Sequence, residues 1–469
     1  MDRRLHIHNN GQEKLVYALF LILLIWLPIP LGSNREWAWS LFQVVSASMM
    51  LWLFALIIMK RVSDSGILSN TKIILFLFLC LLATQVFQVY PLTPVLIEQI
   101  SPQHVELLRS QGIETSILSI NRNETIEGIL KQVSYVSMFF LTLILLSDRR
   151  RIRMMLFAIA VGGVFQSVLA VSQWMNLLAL DTNSAVAASG TFVNKNHFAA
   201  YLNMVVACLI GLVLFDSYSD KARSGGKSSD WTASRNVLVS FLCIVVFALV
   251  ITQSRGAGIS FVVSMATLLI SIGMNPTGRD RFGLKLLVLA IISLSVAAFF
   301  GQEIISDRIL SAEQDVSSRT EIWTLTTQLI KDFLLFGVGV GNYAAAIPLY
   351  ESKNMGVFIN HAHNDYLELL AEQGVVGFSI LAFIIFACAL KALKIVMYCK
   401  DPKILIITGV GIFGVTSMLA HAVVDFNFYI PSNAAYFYVF LALMVCNSHR
   451  VKKGNYEKNR SEPSWLNSH

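Results

Sequence analysis

The sequence predicts an all-α integral membrane protein of about twelve transmembrane helices, with a large periplasmic loop that contains amphipathic helices. Three observations predict it. Of 469 residues, 55% are hydrophobic and only 14% charged, against roughly a quarter charged in soluble globular chains. Mean hydropathy is +0.63. The apolar residues gather in runs close to the ~20 residues that a helix needs to cross a bilayer, and the connections between those runs alternate between basic and acidic.

The runs fall at 15–31, 38–59, 73–90, 130–147, 154–179, 197–215, 237–253, 257–274, 284–301, 376–396, 404–424 and 432–447. The first follows Arg3, Arg4 and Lys14 like a secretory signal, but no small-residue cleavage site follows it, so it reads as a retained helix. With the N-terminus cytoplasmic, 26 of the 36 Lys and Arg residues lie inside and 10 outside, while the acidic residues divide 11 and 18. The inner side is thus +15 and the outer side −8. Arg149, Arg150, Arg151 and Arg153, then Lys221, Arg223, Lys227 and Arg235, and the tail after Arg450 carry much of this asymmetry. It is the positive-inside bias, and it explains the net charge of +7 without any nucleic-acid partner. Both termini are expected in the cytoplasm.

By this reading residues 1–301 form an N-terminal membrane bundle of about nine helices with an outer loop at 91–129. Residues 302–375 form the periplasmic loop, 376–448 the C-terminal membrane helices and 449–469 a basic tail. The Ser/Gly/Lys-rich stretch 219–230 reads as a loose linker. Cys80, Cys208, Cys243, Cys388, Cys399 and Cys446 all fall in spans or on the inner side, with no CxxC pair, so neither disulfide nor metal chemistry is expected of them. Within the long loop, Ile322, Leu325, Leu329, Ile330 and Phe333 recur at helical spacing, which predicts an amphipathic helix over 318–335 lying on the membrane or on the bundle. The glycines at 337, 339 and 341 follow. They lack the strand–turn–helix setting of a phosphate cradle and read as a flexible turn.

No Asp, Glu, Lys or Arg lies near the middle of any run. Ion-coupled transporters place such groups there, at about 2.5–3.5 kcal/mol each on insertion scales. A transporter or flippase is the alternative from a different class, and this pattern counts against it. There is no Asp-x-Asp pair to hold a metal-bound nucleotide sugar.

The functional-looking charges sit at the outer rim instead. Arg255 lies in the tight turn Thr252-Gln253-Ser254-Arg255-Gly256. It either snorkels to lipid headgroups or binds an anion, for which guanidinium is suited by its two-pronged match to phosphate oxygens. Arg319, at the start of the amphipathic helix, is a second candidate or a solvated charge. The densest cluster is Asn360-His361-Ala362-His363-Asn364-Asp365-Tyr366-Leu367-Glu368. Asp365 with Glu368 marks a helix start and Gly374 a stop or hinge. A histidine just before a helix N-terminus feels the positive end of the dipole, stays neutral, and can accept a proton as a general base. A metal site from His361, His363 and Asp365, or a structural role for both histidines, is the rival reading. Two further blocks, Gly190–His197, with Lys195 and Asn196, and Asp425–Pro431, concentrate amides and charge where spans meet the outer face.

Together these features resemble the O-antigen ligase and polymerase superfamily, bacterial membrane enzymes that transfer glycans from a lipid carrier. Members carry a histidine followed by Asn, Ser or Gln, nine residues, Gly, two residues and a small residue; here that is His363-Asn364, nine residues, Gly374, two residues, Gly377. Ser254-Arg255-Gly256, Arg319 with Thr320-Glu321-Ile322-Trp323, the glycine run and the two outer blocks also fit. The resemblance implies a glycan donor on undecaprenyl diphosphate, its diphosphate bound by Arg255 and Arg319, and His363 as base for metal-independent inverting transfer to an acceptor hydroxyl. It implies no cofactor. His361, Asn364, Asp365, Lys195 and Asn196 become supporting or acceptor-side candidates. Ligation of O-antigen to lipid A-core is the first expectation. A repeat-unit polymerase of O-antigen or exopolysaccharide, and then a protein O-oligosaccharyltransferase, are the alternatives.

Overall fold

The computed structural model describes residues 11–62, 67–110, 116–146, 148–175, 188–223, 229–274, 319–350 and 359–446. Among these residues the regular structure is helical throughout, without strands. In chain order the α-helices are α1 Gly11–Trp26, α2 Glu36–Ile58, α3 Ile67–Asn70, α4 Lys72–Val89, α5 Pro94–Ile100, α6 Pro102–Ser110, α7 Arg122–Leu145 and α8 Arg149–Trp174. They continue with α9 Lys195–Arg223, α10 Ser229–Ile251, α11 Arg255–Gly273, α12 at 319–332, α13 Tyr343–Ala346, α14 Asp365–Tyr398, α15 Pro402–His421 and α16 Pro431–Val445. Eight are long and apolar enough to cross a membrane, with shorter apolar helices at Arg235–Ile251 and Pro431–Val445, counted among the described residues. Each expected run that falls on described residues is built on a helix. The expected span at 284–301 and the basic tail lie outside the described residues.

The bundle is all-α, with α9, α15 and α16 at its centre. Every residue of α16 is buried, whereas α2, α4 and α11 expose Leu51, Ile58, Ile73, Phe76, Ile259 and Ile270. Lipid is as apolar as these side chains, so helices associate through close packing rather than exclusion of water. Gly411 shows the closeness: a Cβ there would sit 2.7 Å from the amide nitrogen of Met444 and 2.8 Å from the carbonyl oxygen of Phe440. Buried amides find partners across helices, as a medium without water requires. Gln132 donates to the Tyr438 hydroxyl at 2.8 Å, Asn203 to the Ala257 carbonyl at 3.0 Å, and Asn433 to the His197 carbonyl at 2.9 Å.

The arginine-rich start of α8 does more than carry charge. Two Arg153 nitrogens, Nε and Nη2, reach the Asp216 carboxylate at 2.9 Å, Arg151 pairs with Glu13 at 2.5 Å, and Arg149 pairs with Asp401. These links fasten α8 to α9, α1 and the start of α15. Asp148 and Asp401 also cap α8 and α15 by accepting from Arg151 N and Lys403 N.

At the other end the described part of the long loop before α14 has a core of its own. Leu329, Phe333, Val338, Tyr343, Ile347 and Ala362 are buried together, with Ile322, Leu325 and Ile330 packed against them. Of the two positions allowed by its amphipathic pattern, α12 therefore takes the one against protein. His104 of α6, fully buried, meets the Phe333 ring edge-on at 5.6 Å, so the connection between α4 and α7 packs against the loop before α14.

Candidate active site

The site begins with an interruption in α14. Gly374 has φ 61° and ψ −173°, which breaks the helix nine residues after its start and frees backbone groups on either side. The segment that carries the glycine run satisfies them. Val338 N donates to Ala371 O at 2.9 Å and Gly339 N to Glu372 O at 3.0 Å, while Val375 N donates to Leu334 O at 2.8 Å. Gln88 of α4 closes the junction, donating to Phe336 O at 2.6 Å and Glu372 O at 2.8 Å and accepting from Val340 N at 3.2 Å. The flexible turn expected of the glycine run is therefore corrected to a fixed one. Gly337 and Gly374 have positive φ because backbone is packed against both: a Cβ on either would lie 2.3 Å from a backbone atom of the opposite segment.

The first turn of α14 is thereby held still. Its cap is Asn364, whose side-chain oxygen accepts from Tyr366 N at 3.0 Å and Leu367 N at 3.2 Å. Asp365, expected to mark the helix start, is the first residue of α14 and also ties it to the last described interhelical connection. Its amide donates to Ala422 O at 2.9 Å, and its carboxylate accepts from Phe428 N at 3.3 Å. Glu368 is fully buried and takes the Ala362 amide at 2.9 Å and His361 Nδ1 at 2.7 Å. Trp323 of α12 holds the Ala362 carbonyl at 2.8 Å. Between these anchors His363 is forced to φ 51°, a left-handed conformation costing about 1–3 kcal/mol in a residue with a Cβ.

The facing wall comes from the end of α15 and the connection after it. Arg319 donates to Val424 O at 3.1 Å. Asp425, buried, lies 3.4 Å from His197 Nε2 and 3.7 Å from His421 Nε2. The Phe426 ring is the common contact of three histidines. His361 stacks on it at 4.0 Å and 15°, while His363 meets it at 5.0 Å and His197 at 4.5 Å, both nearly perpendicular. Ser254 caps α11, and a Cβ on Gly256 would lie 2.7 Å from His421 Nε2. The turn that carries Arg255 thus leans on the same end of α15. Arg255 itself is exposed. Lys195 and Asn196, half-buried, begin α9 just before His197.

Burial holds His363 below its ordinary value, and the nearby Arg319 charge lowers it further against an opposing pull from Asp425. Burial alone would raise Asp425, but the hydrogen bond and charge of His197, with the charge of His421, bring it below the usual carboxylate range. The result is a neutral imidazole beside a guanidinium that donates through one nitrogen to the Val424 carbonyl: a group able to accept a proton next to one able to bind an anion.

Of the residues singled out in the sequence, His361, His363, Asn364, Asp365 and Arg319 come together, with Arg255, Lys195 and Asn196 on segments that flank them. The roles of His197, His421, Asp425, Phe426 and Glu368 were missed. His197, Asp425, Phe426 and Glu368 fell within the blocks singled out, while His421 did not; its spacing of four from Asp425 at a helix end was the signal that could have found it.

Residues 238–382 match the family model described as O-antigen ligase, which supports the O-antigen ligase superfamily and membrane glycan transfer of the ligase and polymerase type. The matched segment includes Arg255, Arg319, His361 and His363 and leaves out the Asp425–Phe426 wall. No curated protein matches the chain.

Proposed function

We propose that this chain of the O-antigen ligase superfamily transfers a glycan from undecaprenyl diphosphate to an acceptor hydroxyl at the periplasmic face of the inner membrane, and that the acceptor is lipid A-core. The observation that carries the reading is the neutral His363 beside Arg319 on a strained, rigidly anchored turn. His363 takes the proton of the acceptor hydroxyl, and that oxygen attacks the anomeric carbon. The bond from that carbon to the diphosphate oxygen breaks with inversion, and the electron pair leaves with undecaprenyl diphosphate. Arg319 and Arg255 bind the diphosphate and stabilise the charge that grows on it. Asn364 fixes the start of α14 and hence the position of His363, while Asp365 ties that start to the Phe426 wall. Lys195 and Asn196, next to His197 of that wall, are candidate contacts for the same ligands.

Deleting the gene and analysing surface glycolipids with the carrier-linked pool tests the assignment. Core without O-chain, with long polymer stranded on the carrier, is the expected outcome. Core capped by single repeats would reassign the chain to polymerisation, and normal pools would remove the acceptor assignment.

A further inference from the structure

One of the bonds that hold the His363 turn comes from the helix that carries Arg319. Arg319 stands at the described start of α12, and Trp323 follows four residues later, one turn along the same face. Arg319 donates to Val424 O at 3.1 Å, and the Trp323 indole N–H donates to Ala362 O at 2.8 Å. That carbonyl belongs to the peptide whose nitrogen is His363's own. Because a peptide is planar, holding the carbonyl sets the plane from which the His363 backbone turns to φ 51°. The preceding peptide is held as well, by Glu368 accepting from Ala362 N at 2.9 Å. α12 is itself fixed to α14: Thr326 shares a hydrogen bond of 2.7 Å with the Tyr343 hydroxyl, and Tyr343 N donates to Glu372 at 3.1 Å. Glu368 and Glu372 stand one turn apart on α14. Arginine helix, histidine turn and α14 therefore form a closed frame, in which Trp323 joins α12 directly to the turn.

We propose that Trp323 is a positioning residue that couples the anion site to the base. By fixing the Ala362–His363 peptide to the helix of Arg319, it makes an anion bound at Arg319 felt at His363. This rests on the reading of Arg319 as part of a diphosphate site. The charged and titratable groups that face His363 are Arg319 of α12, Asp425 after α15, His361 of its own segment and His197 of α9. Of these the guanidinium is the group that an anion pairs with, and it keeps its charge at any working pH. Alone, it opposes a proton on His363. Paired with a diphosphate, it no longer does. His363 thus becomes the stronger base once a donor is in place, which is when a proton acceptor is needed.

The test uses the full chain in nanodiscs, labelled with 15N-histidine, and farnesyl diphosphate as the anionic probe. His363, assigned by the loss of its signal in His363→Gln, is titrated with and without the probe. In the parent protein the probe should move that titration to higher pH by about tenfold in proton affinity, the low end of what a neighbouring charge does. In Arg319→Ala the shift should vanish. Trp323→Phe keeps a ring in the space and loses the N–H. There the shift should fall to about a third, since coupling weakens with separation, while probe affinity stays within about threefold of the parent. β-(3-Benzothienyl)alanine in place of Trp323 exchanges the N–H for sulfur in the same outline and should reduce the shift equally. No shift in the parent protein, or a full shift in either Trp323 variant, would overturn the proposal. Loss of probe binding in both variants would also overturn it, leaving Trp323 as a support of the anion site. In transfer assays the acid limb of kcat, read with donor bound, should lie at higher pH than that of kcat/KM for the donor. Trp323→Phe should bring the two limbs together and lower kcat about tenfold, the worth of one hydrogen bond, with the donor KM unchanged. A loss confined to the donor KM would refute the coupling. Since the titration needs no turnover, a shift without transfer would count against the transferase reading and leave the coupling standing.

Discussion

The two histidines of the loop stand two residues apart and live in opposite surroundings. His363 neighbours Arg319, has a strained backbone, and is kept neutral by burial and positive charge. His361 is paired with a buried glutamate, stacked on Phe426, and faces an acidic cavity. The comparison teaches how one short segment can hold two imidazoles in different electrostatic fields. A backbone turn just before a capped helix start sends one imidazole toward a guanidinium and the other toward a buried carboxylate.

The sharpest way to break this comparison is to remove one histidine at a time. His363→Ala should lower kcat by about 10²–10⁴-fold, the usual worth of a general base, with membrane insertion and donor binding retained. A loss confined to KM would falsify the assignment of His363 as the base. Next in size is Arg319→Ala, expected to cost roughly 10²-fold in kcat, as for a lost oxyanion donor. It also carries a pH signature. On the proposed mechanism the neutral form of His363 is the active one, and its ordinary value is 6.5, so the acid limb of kcat/KM in the parent protein should lie below that value. Removing the Arg319 charge takes away one of the influences that lower His363, so the limb should move to higher pH; an unmoved limb would uncouple the two residues. Arg255→Lys keeps the charge but loses the planar fork, and a fall of about tenfold in activity is expected of that exchange. Unchanged donor affinity and turnover in that variant would leave Arg255 as an interfacial anchor.

Much of the fold was legible because lipid imposes a simple rule on sequence. Apolar runs such as 38–59 and 73–90 match Glu36–Ile58 and Lys72–Val89 within two residues, since every backbone group there must be satisfied within the helix. The first run was misjudged at its end: Pro28 and Pro30 sit in turn after α1 stops at Trp26, and proline cannot supply the amide needed to continue. The site was partly legible. Charges and histidines at a membrane rim stand out, which is why His363, Arg319 and Arg255 could be picked. What sequence alone did not reveal was partnership over long separations. That Gln88 locks Phe336 and Glu372, or that His197, His361 and His363 share the Phe426 ring, depends on helix packing rather than spacing. The glycine run was read as flexible for the same reason, because its partners lie at Ala371 and Glu372, on the far side of the loop.

Asp425 and Phe426 lie on the connection between α15 and α16, so the wall against which the histidines rest comes from the last stretch of described chain. A ribosome delivers residues in sequence, and a membrane protein is threaded into the bilayer as it is made. The arginines, the glutamine latch and both loop histidines are therefore synthesised before the surface that aligns them. A nascent chain halted after α14 would hold the groups of the active site without their common support. The groups gathered from the earlier segments thus acquire that common support only once the α15–α16 hairpin is in place.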